Sequence, residues 1–281
     1  MKRITIFLWL LVVSITLTGQ ERNIVLFDNL LSRQILEAAH TKQIAFIDNI
    51  CVTDSRRIML ASKDSLYLFG YGGYVSYKPK TGNVSLFTTS GDNAYYLNNR
   101  KLIELSPQNG EKMIMTLSTS PKKIWGGKDV VYVSSIEKGK YGLWAIFPSS
   151  RIQKKLLLLS NQPVNVFEHS GIIYVVTSKE LLMMVVDANQ YATVPFPQNL
   201  FSQVYSAAID HQREALYLSS NKGLFRFYEK KFQKVSNDNG TLCYDQDGLL
   251  LYNNKEPSVM RIRNSFLYPK KDTKEVIIEL R

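Results

Sequence analysis

A short apolar triplet recurs six times along this chain, at intervals of 34 to 43 residues. A small polar turn and a second apolar run follow each triplet, so the repeated unit contains a hairpin of two buried strands. The triplets are Ile58–Leu60, Tyr95–Leu97, Val131–Val133, Ile173–Val175, Leu216–Leu218 and Leu250–Tyr252. A β unit repeated every 40 or so residues is typical of the four-stranded blade of a propeller, roughly 40–50 residues long.

Further strands flank each hairpin. The predicted first strands are Ile50–Thr53, Val84–Phe87, Lys123–Trp125, Val164–Phe167, Val204–Ala208 and Leu242–Tyr244, and the outer strand predicted for the last unit is Val276–Leu280. A single unit cannot cover both faces of its sheet, so units must pack on one another, and a ring leaves no uncovered end. The sequence therefore predicts an all-β fold, a six-bladed β-propeller, with a seven-bladed ring or a β-sandwich as alternatives.

Residues 1–20 have the order of a secretory signal peptide. Lys2 and Arg3 precede an apolar run from Ile4 to Leu17, and a small or polar stretch follows. A membrane-spanning helix needs about 20 apolar residues, and this run has 14, so an uncleaved anchor is the less favoured alternative. We expect a periplasmic or secreted protein with no membrane span after cleavage.

The rest of the chain divides into two parts. Residues 21–43 are predicted to be an N-terminal extension or a closing strand, with Asn23–Phe27 as the strand and Leu30–Ala39 as the one plausible helix. Residues 44–281 are predicted to form the propeller. Two cysteines are too few for a disulfide-framework miniprotein or for a zinc site built on cysteines.

The chain is basic, and part of that charge recurs with the repeat. The formal charge is +11, and removing Lys2 and Arg3 leaves +9. It is spread along the chain rather than gathered in a stripe or module, which argues against a nucleic-acid partner. Each turn between a second and a third strand carries a cation, and these are Lys63, Arg100, Lys138, Lys179, Lys222 and Lys255.

Six cations on one rim would attract an anionic glycan, a lipid headgroup or an acidic protein partner of the envelope. The alternative is that lysine is common in exposed turns and only keeps the surface hydrated.

The sequence contains little that indicates catalysis. There is no HExxH, no phosphate-binding glycine loop, no nucleophile elbow and no CxxC, so we predict no catalytic residue, no metal and no cofactor. His169 and His211 follow equivalent first strands and have carboxylates beside them. Polar residues suit the hairpin turns expected there, and a metal site is the alternative.

Cys51 and Cys243 fall in the first strands of the first and sixth units, which become neighbours when a ring closes. In an exported protein they can form a disulfide that closes a long loop. The alternative is two separate buried thiols, because a bridge needs Cα atoms within about 7 Å.

The segment Ala215–Phe227, ALYLSSNKGLFRF, resembles the propeller repeat of bacterial two-component-regulator sensors. The other units keep its hydrophobic pattern without the glycine, and Tyr stands where that family often has Trp. The resemblance implies the propeller fold. Together these features predict an exported, non-catalytic binding or scaffold module, and the alternative is an extracytoplasmic propeller hydrolase or lyase with its site in the central funnel.

Overall fold

The computed structural model describes residues 35, 37–42, 44–70, 73–80, 84, 86–106, 110–185, 190–253 and 259–268. The predicted signal peptide (1–20), the predicted strands Asn23–Phe27 and Val276–Leu280, and Lys255 lie outside the described residues. Of the predicted helix Leu30–Ala39, residues 35 and 37–39 are described, and they are helical.

Within these ranges the chain forms six antiparallel sheets, each made of consecutive strands. Blade 1 contains β1 (Asn49–Val52), β2 (Ile58–Ser62), β3 (Ser65–Gly70) and β4 (Gly73–Tyr77), and blade 2 contains β5 (Phe87–Ser90), β6 (Asn93–Asn98), β7 (Lys101–Ser106) and β8 (Gly110–Thr116). Blade 3 contains β9 (Pro121–Gly126), β10 (Val131–Glu137), β11 (Lys140–Phe147) and β12 (Ile152–Leu159), and blade 4 contains β13 (Pro163–His169), β14 (Ile172–Thr177), β15 (Glu180–Val185) and β16 (Gln190–Pro195). Blade 5 contains β17 (Val204–Asp210), β18 (Ala215–Ser220), β19 (Gly223–Tyr228) and β20 (Lys231–Ser236), and blade 6 contains β21 (Thr241–Asp245), β22 (Gly248–Tyr252) and β23 (Val259–Arg263).

The six blades form a ring, as the repeat predicts. Six hydrophobic clusters are present, and each fills the space between two neighbouring blades. The second strands supply much of this core, because both of their faces are buried; every residue of β2, β18 and β22 is buried. The predicted six-bladed β-propeller is therefore confirmed.

The ring closes between blade 6 and blade 1. Leu250 and Tyr252 of β22 pack in one cluster with Leu60 of β2. Ile35 and Ile47, which precede the first strand, are fully buried in the same cluster. The segment before β1 thus adds apolar side chains to the core between the last blade and the first.

One predicted inner strand is wrong in its position. The apolar run Val84–Phe87 predicts a first strand, but β5 begins at Phe87 and continues through Thr88 and Thr89 to Ser90. The Thr89 hydroxyl donates to the carbonyl of Val52 in the neighbouring blade at 3.1 Å. Polar side chains are favoured in this strand because the next inner strand offers them hydrogen-bond partners.

A short helix that the sequence did not predict, α1 (Asn264–Leu267), follows β23. Leu267 is buried beside blades 5 and 6. No helix in the described ranges has both the length and the apolar character needed to cross a bilayer.

Candidate functional site

The inner strands of all six blades surround a central channel of about 800 Å³. Each inner strand is the edge of its sheet, so one row of its backbone N–H and C=O groups points away from the ladder and toward the channel. Because the six inner strands run in the same direction, the channel has one mouth where they begin and one where they end. We call these sides of the ring the start face and the end face.

Polar side chains of the inner strands tie neighbouring blades together. The Asn49 amide donates to the Phe87 carbonyl at 2.7 Å, and the Asn165 amide donates to the Ala207 carbonyl. The Leu242 N–H donates to the Ser206 hydroxyl at 3.0 Å. These contacts satisfy polar groups in the channel wall and hold it in one shape.

Two lysines lie at the start-face mouth of the channel. Lys122 and Lys123 are successive residues at the beginning of β9, and both line the channel. Lys122 is exposed, whereas Lys123 is half-buried. Burial disfavours the charged ammonium and lowers the pKa of Lys123. Sequence reasoning missed both lysines because they sit in an inner strand rather than in a turn.

The turn cations lie on the same face but farther from the axis. Strand alternation places every second-to-third turn on the start face, and all five such turns in the described ranges carry an exposed cation, namely Lys63, Arg100, Lys138, Lys179 and Lys222. None of the five lines the channel. The Arg100 guanidinium donates through Nε to the Leu117 carbonyl at 2.8 Å, so this cation also fastens a turn. The predicted rim of cations therefore surrounds the channel mouth at a distance, with Lys122 and Lys123 at its centre.

The end face carries charges of both signs. Five of the six first-to-second turns, which lie on this face, contain an acidic residue, namely Asp54, Asp92, Asp129, Glu214 and Asp247. Arg56, Arg57, Lys128 and Arg213 offset part of this charge. The second-to-third turns thus give the start face an excess of cations. The first-to-second turns give the end face a mixed and more acidic character.

The carboxylates near the end-face mouth are held by neighbouring groups. Glu168 accepts a hydrogen bond from the Tyr132 hydroxyl and one from the Lys128 N–H at 3.0 Å, which joins blade 4 to blade 3. Burial, followed by the nearby Glu168 carboxylate, raises the pKa of Tyr132. The phenol therefore stays protonated and acts as a donor.

Asp210 and Asp245 are held in the same way. Asp210 accepts a hydrogen bond from the Tyr244 hydroxyl at 2.6 Å and pairs with Arg213 at 3.0 Å. Asp245 pairs with Arg261, although burial raises its pKa. Asp48, at the other face, accepts from the Lys63 N–H at 2.6 Å. Glu168, Asp210, Asp245 and Asp48 are thus distributed over separate structural contacts.

His169 and His211 come together across the boundary between blades 4 and 5. Their Nδ1 atoms lie 3.3 Å apart, and the Nε2 of His169 lies 3.2 Å from the Glu214 carboxylate. Burial, followed by the neighbouring His169, lowers the pKa of His211. Within the described part of the chain, no three His, Cys, Asp or Glu side chains are grouped as a metal ligand set.

Cys51 and Cys243 are free, partly buried thiols on neighbouring inner strands. The Cys51 side chain packs in the cluster between blades 1 and 2, and that of Cys243 packs in the cluster between blades 6 and 1. The alternation of side chains along β1 therefore turns Cys51 away from blade 6. Of the two alternatives that the sequence left open, this packing favours two separate thiols over a disulfide.

No protein-family model matches this sequence, and no curated protein is similar to it. Solved structures do match. The extracellular domain of a putative hybrid two-component system from B. thetaiotaomicron is 14% identical with a TM-score of 0.52, over 78% of this chain and 38% of that one. A gluconolactonase from Xanthomonas campestris is 10% identical with a TM-score of 0.60, over 77% and 85%. A chain of a nidogen/laminin complex is 8% identical with a TM-score of 0.56, over 68% and 80%.

At these identities the likeness shows the fold alone. It confirms the resemblance to the propellers of two-component sensors, and this chain spans 38% of the length of that extracellular domain. The neighbours include an extracellular domain, a chain of a nidogen/laminin complex and a gluconolactonase, so one fold serves different functions in them.

Proposed function

We propose that this protein is an exported, non-catalytic binding module of the bacterial envelope, and that it takes an anionic ligand on its start face. The ligand is an acidic glycan, a lipid headgroup or an acidic segment of a protein partner. The observation that carries the proposal is the position of Lys122 and Lys123 at the channel mouth, inside the rim of turn cations on the same face.

The arrangement of charge supports an anion at this mouth. Lys123 is half-buried in the channel wall, where the lower local dielectric strengthens its attraction for a negative group. The five exposed turn cations add a longer-range field that guides such a group toward the mouth. The five acidic first-to-second turns lie on the opposite face, so the start-face mouth carries an excess of cations.

Export and a protein partner are supported by the sequence and by the fold. Residues 1–20 have the order of a signal peptide. Among proteins of similar fold, one is the extracellular domain of a two-component system and another occurs in a nidogen/laminin complex. The first context is extracellular, and the second is a complex between proteins.

The proposal is tested by comparing two variants that lose the same total charge, one from the start-face turns and one from the outer strands. In one variant Lys63, Lys179 and Lys222 are replaced by serine, and in the matched control the exposed outer-strand residues Lys112, Lys154 and Lys231 are replaced by serine. Binding to polygalacturonate, to vesicles containing phosphatidylglycerol and to envelope proteins is measured at several salt concentrations.

An exposed cation contributes about 0.2–1 kcal/mol to such a contact, so the start-face variant should bind its anionic ligand roughly three- to a hundredfold more weakly. Its affinity should also depend less on salt, and the control should behave as the wild type does. Equal losses in the two variants would show that only the net charge matters and would refute a start-face site.

A second candidate function is an extracytoplasmic hydrolase or lyase with its site in the channel. It is favoured by the likeness in fold to a gluconolactonase over 77% of this chain. Lys123 and Glu168 supply ionisable groups at the two mouths. Turnover of sugar lactones or acidic glycans by the wild type, lost on Lys123→Met, would favour this function over simple binding.

A further inference from the structure

We propose that His169 and His211 form a binding site for a borderline divalent metal ion such as Zn²⁺, which the two imidazoles hold across the boundary between blades 4 and 5. This site lies on the end face and is independent of the anion site proposed on the start face. His211 lines the channel, so the metal would sit at the rim of its end-face mouth.

The distance between the two imidazoles matches the requirement of a metal ion. Zinc binds imidazole nitrogen at about 2.0–2.1 Å, so two nitrogens in a tetrahedral arrangement lie about 3.3 Å apart. The Nδ1 atoms of His169 and His211 are 3.3 Å apart. The rings are 5.4 Å apart between centroids and inclined at 35°, so they meet through these nitrogens rather than by stacking.

Glu214 sets the tautomer that such a site needs. Its carboxylate lies 3.2 Å from the Nε2 of His169, where it accepts a hydrogen bond from Nε2–H and so leaves the lone pair on Nδ1. A carboxylate on the second nitrogen of a metal-binding histidine is a common arrangement, because it fixes the ring and raises its basicity. Glu214 is thus a positioning residue, and it also adds a negative charge beside the ion.

The groups around the pair suit a cation with open coordination positions. Asp210, next to His211, adds negative charge, and its own hydrogen bonds are taken by Arg213 and Tyr244. The Arg213 guanidinium is held there and over the Tyr268 ring, at 4.5 Å from its centroid. Two protein nitrogens complete half of a tetrahedral shell, so water or a bound ligand would supply the remaining positions.

The experiment uses the purified wild-type protein without an affinity tag. Histidines are modified with diethyl pyrocarbonate in the presence and absence of ZnCl₂, and each site is read by peptide mass spectrometry. We expect Zn²⁺ to protect His169 and His211, and to leave His40, an exposed histidine before blade 1, unprotected. Equal modification with and without Zn²⁺ at His169 and His211 would overturn the proposal and leave the pair as a hydrogen bond between two blades.

Variants then measure the contribution of each group. His169→Ala and His211→Ala should each weaken Zn²⁺ binding in calorimetry by at least about a hundredfold, and Glu214→Gln by about tenfold, whereas His40→Ala should leave it unchanged. The rise in Tm on adding Zn²⁺ should disappear in both histidine variants, while their Tm without metal reports whether they fold. Zn²⁺ affinity retained in folded His211→Ala protein would refute the site.

Discussion

The hydroxyl of Tyr252, in blade 6, accepts a hydrogen bond from the backbone N–H of Ile50, in blade 1, at 3.1 Å. The same hydroxyl donates to the side-chain oxygen of Asn49 at 3.1 Å. Tyr252 is 1% exposed, and its ring packs in the cluster between the two blades. A single side chain of the last blade thus satisfies the buried Ile50 N–H of the first blade and helps to close the ring.

Replacing Tyr252 with Phe should keep the ring packing and remove both hydrogen bonds. The buried Ile50 N–H would then lack an acceptor, which costs about 1–3 kcal/mol. We expect the free energy of unfolding, measured with urea, to fall by this amount. Tyr191→Phe is the control, because Tyr191 is 58% exposed on an outer strand. Unchanged stability of Tyr252→Phe would contradict the role of this contact in closure.

Blades 2 and 3 approach each other closely at Gly126. A Cβ added there would lie 1.6 Å from the carbonyl oxygen of Thr89, so backbone atoms of the two blades would have to separate. We expect Gly126→Ala to destabilise the protein by about 3 kcal/mol or more in urea unfolding.

Gly91→Ala is the control that separates the steric effect of close approach between blades from the effect of backbone conformation. Gly91 has a φ of +61°, and no atom lies within 4 Å of an added Cβ, so Gly91→Ala meets only the cost of the left-handed conformation, about 1–2 kcal/mol. If the two alanine variants lost the same stability, close approach between inner strands would not be what requires Gly126.

The ring was predictable because its signal is local. Each blade's apolar triplet and following run lie within a few residues of each other, and their pairing, such as Leu216 opposite Phe227, follows from the hairpin between them. The shifted strand β5 shows the limit of this approach: apolar content favours Val84–Phe87, whereas hydrogen bonds to the next blade favour Thr88 and Thr89.

The candidate site was less predictable, because its contacts join different blades. Tyr132 and Glu168 are 36 residues apart, and nothing near either residue indicates that they meet. The one sequence feature that could have indicated contacts between blades is that Tyr recurs at equivalent positions of the second strands. The half-burial of Lys123 likewise depends on the channel that the closed ring creates. The shared face of the turn cations, by contrast, follows from strand alternation alone.

The packing of the two cysteines predicts their redox state. Cys51 and Cys243 point into different interblade clusters, so we expect two free thiols when the denatured, unreduced protein is titrated with Ellman's reagent. In the native protein both should react slowly at pH 8, because burial raises the pKa of Cys51 to about 12 and also raises that of Cys243. The control is a reduced and denatured sample, whose absorbance with Ellman's reagent defines the signal for two thiols. Finding no thiol without reductant would establish the disulfide instead.

Asp210 links blade 5 to blade 6 through a buried carboxylate. Its side chain is 1% exposed and accepts hydrogen bonds from Tyr244, from Arg213 and from the Gln212 N–H. Burial raises its pKa, but the hydrogen bonds from Tyr244 and Arg213 outweigh this effect, and the pKa is lowered below its ordinary value of 3.8. Asp210 is therefore ionised in the folded protein at neutral pH.

A carboxyl group with a lower pKa in the folded state stabilises the protein above its unfolded pKa, near 4, and loses that contribution as pH falls through the folded value. We therefore expect the wild-type unfolding free energy to decline below about pH 4 and Asp210→Asn to show a shallower decline. At pH 7 the substitution weakens the charge-assisted hydrogen bonds from Tyr244 and Arg213 and should cost about 1.5–3 kcal/mol. Asp129→Asn, at an exposed turn on the same face, is the control and should keep the wild-type profile. Urea unfolding from pH 3 to pH 7 measures all three proteins. An equally steep acid decline in Asp210→Asn would show that other carboxylates set the pH dependence.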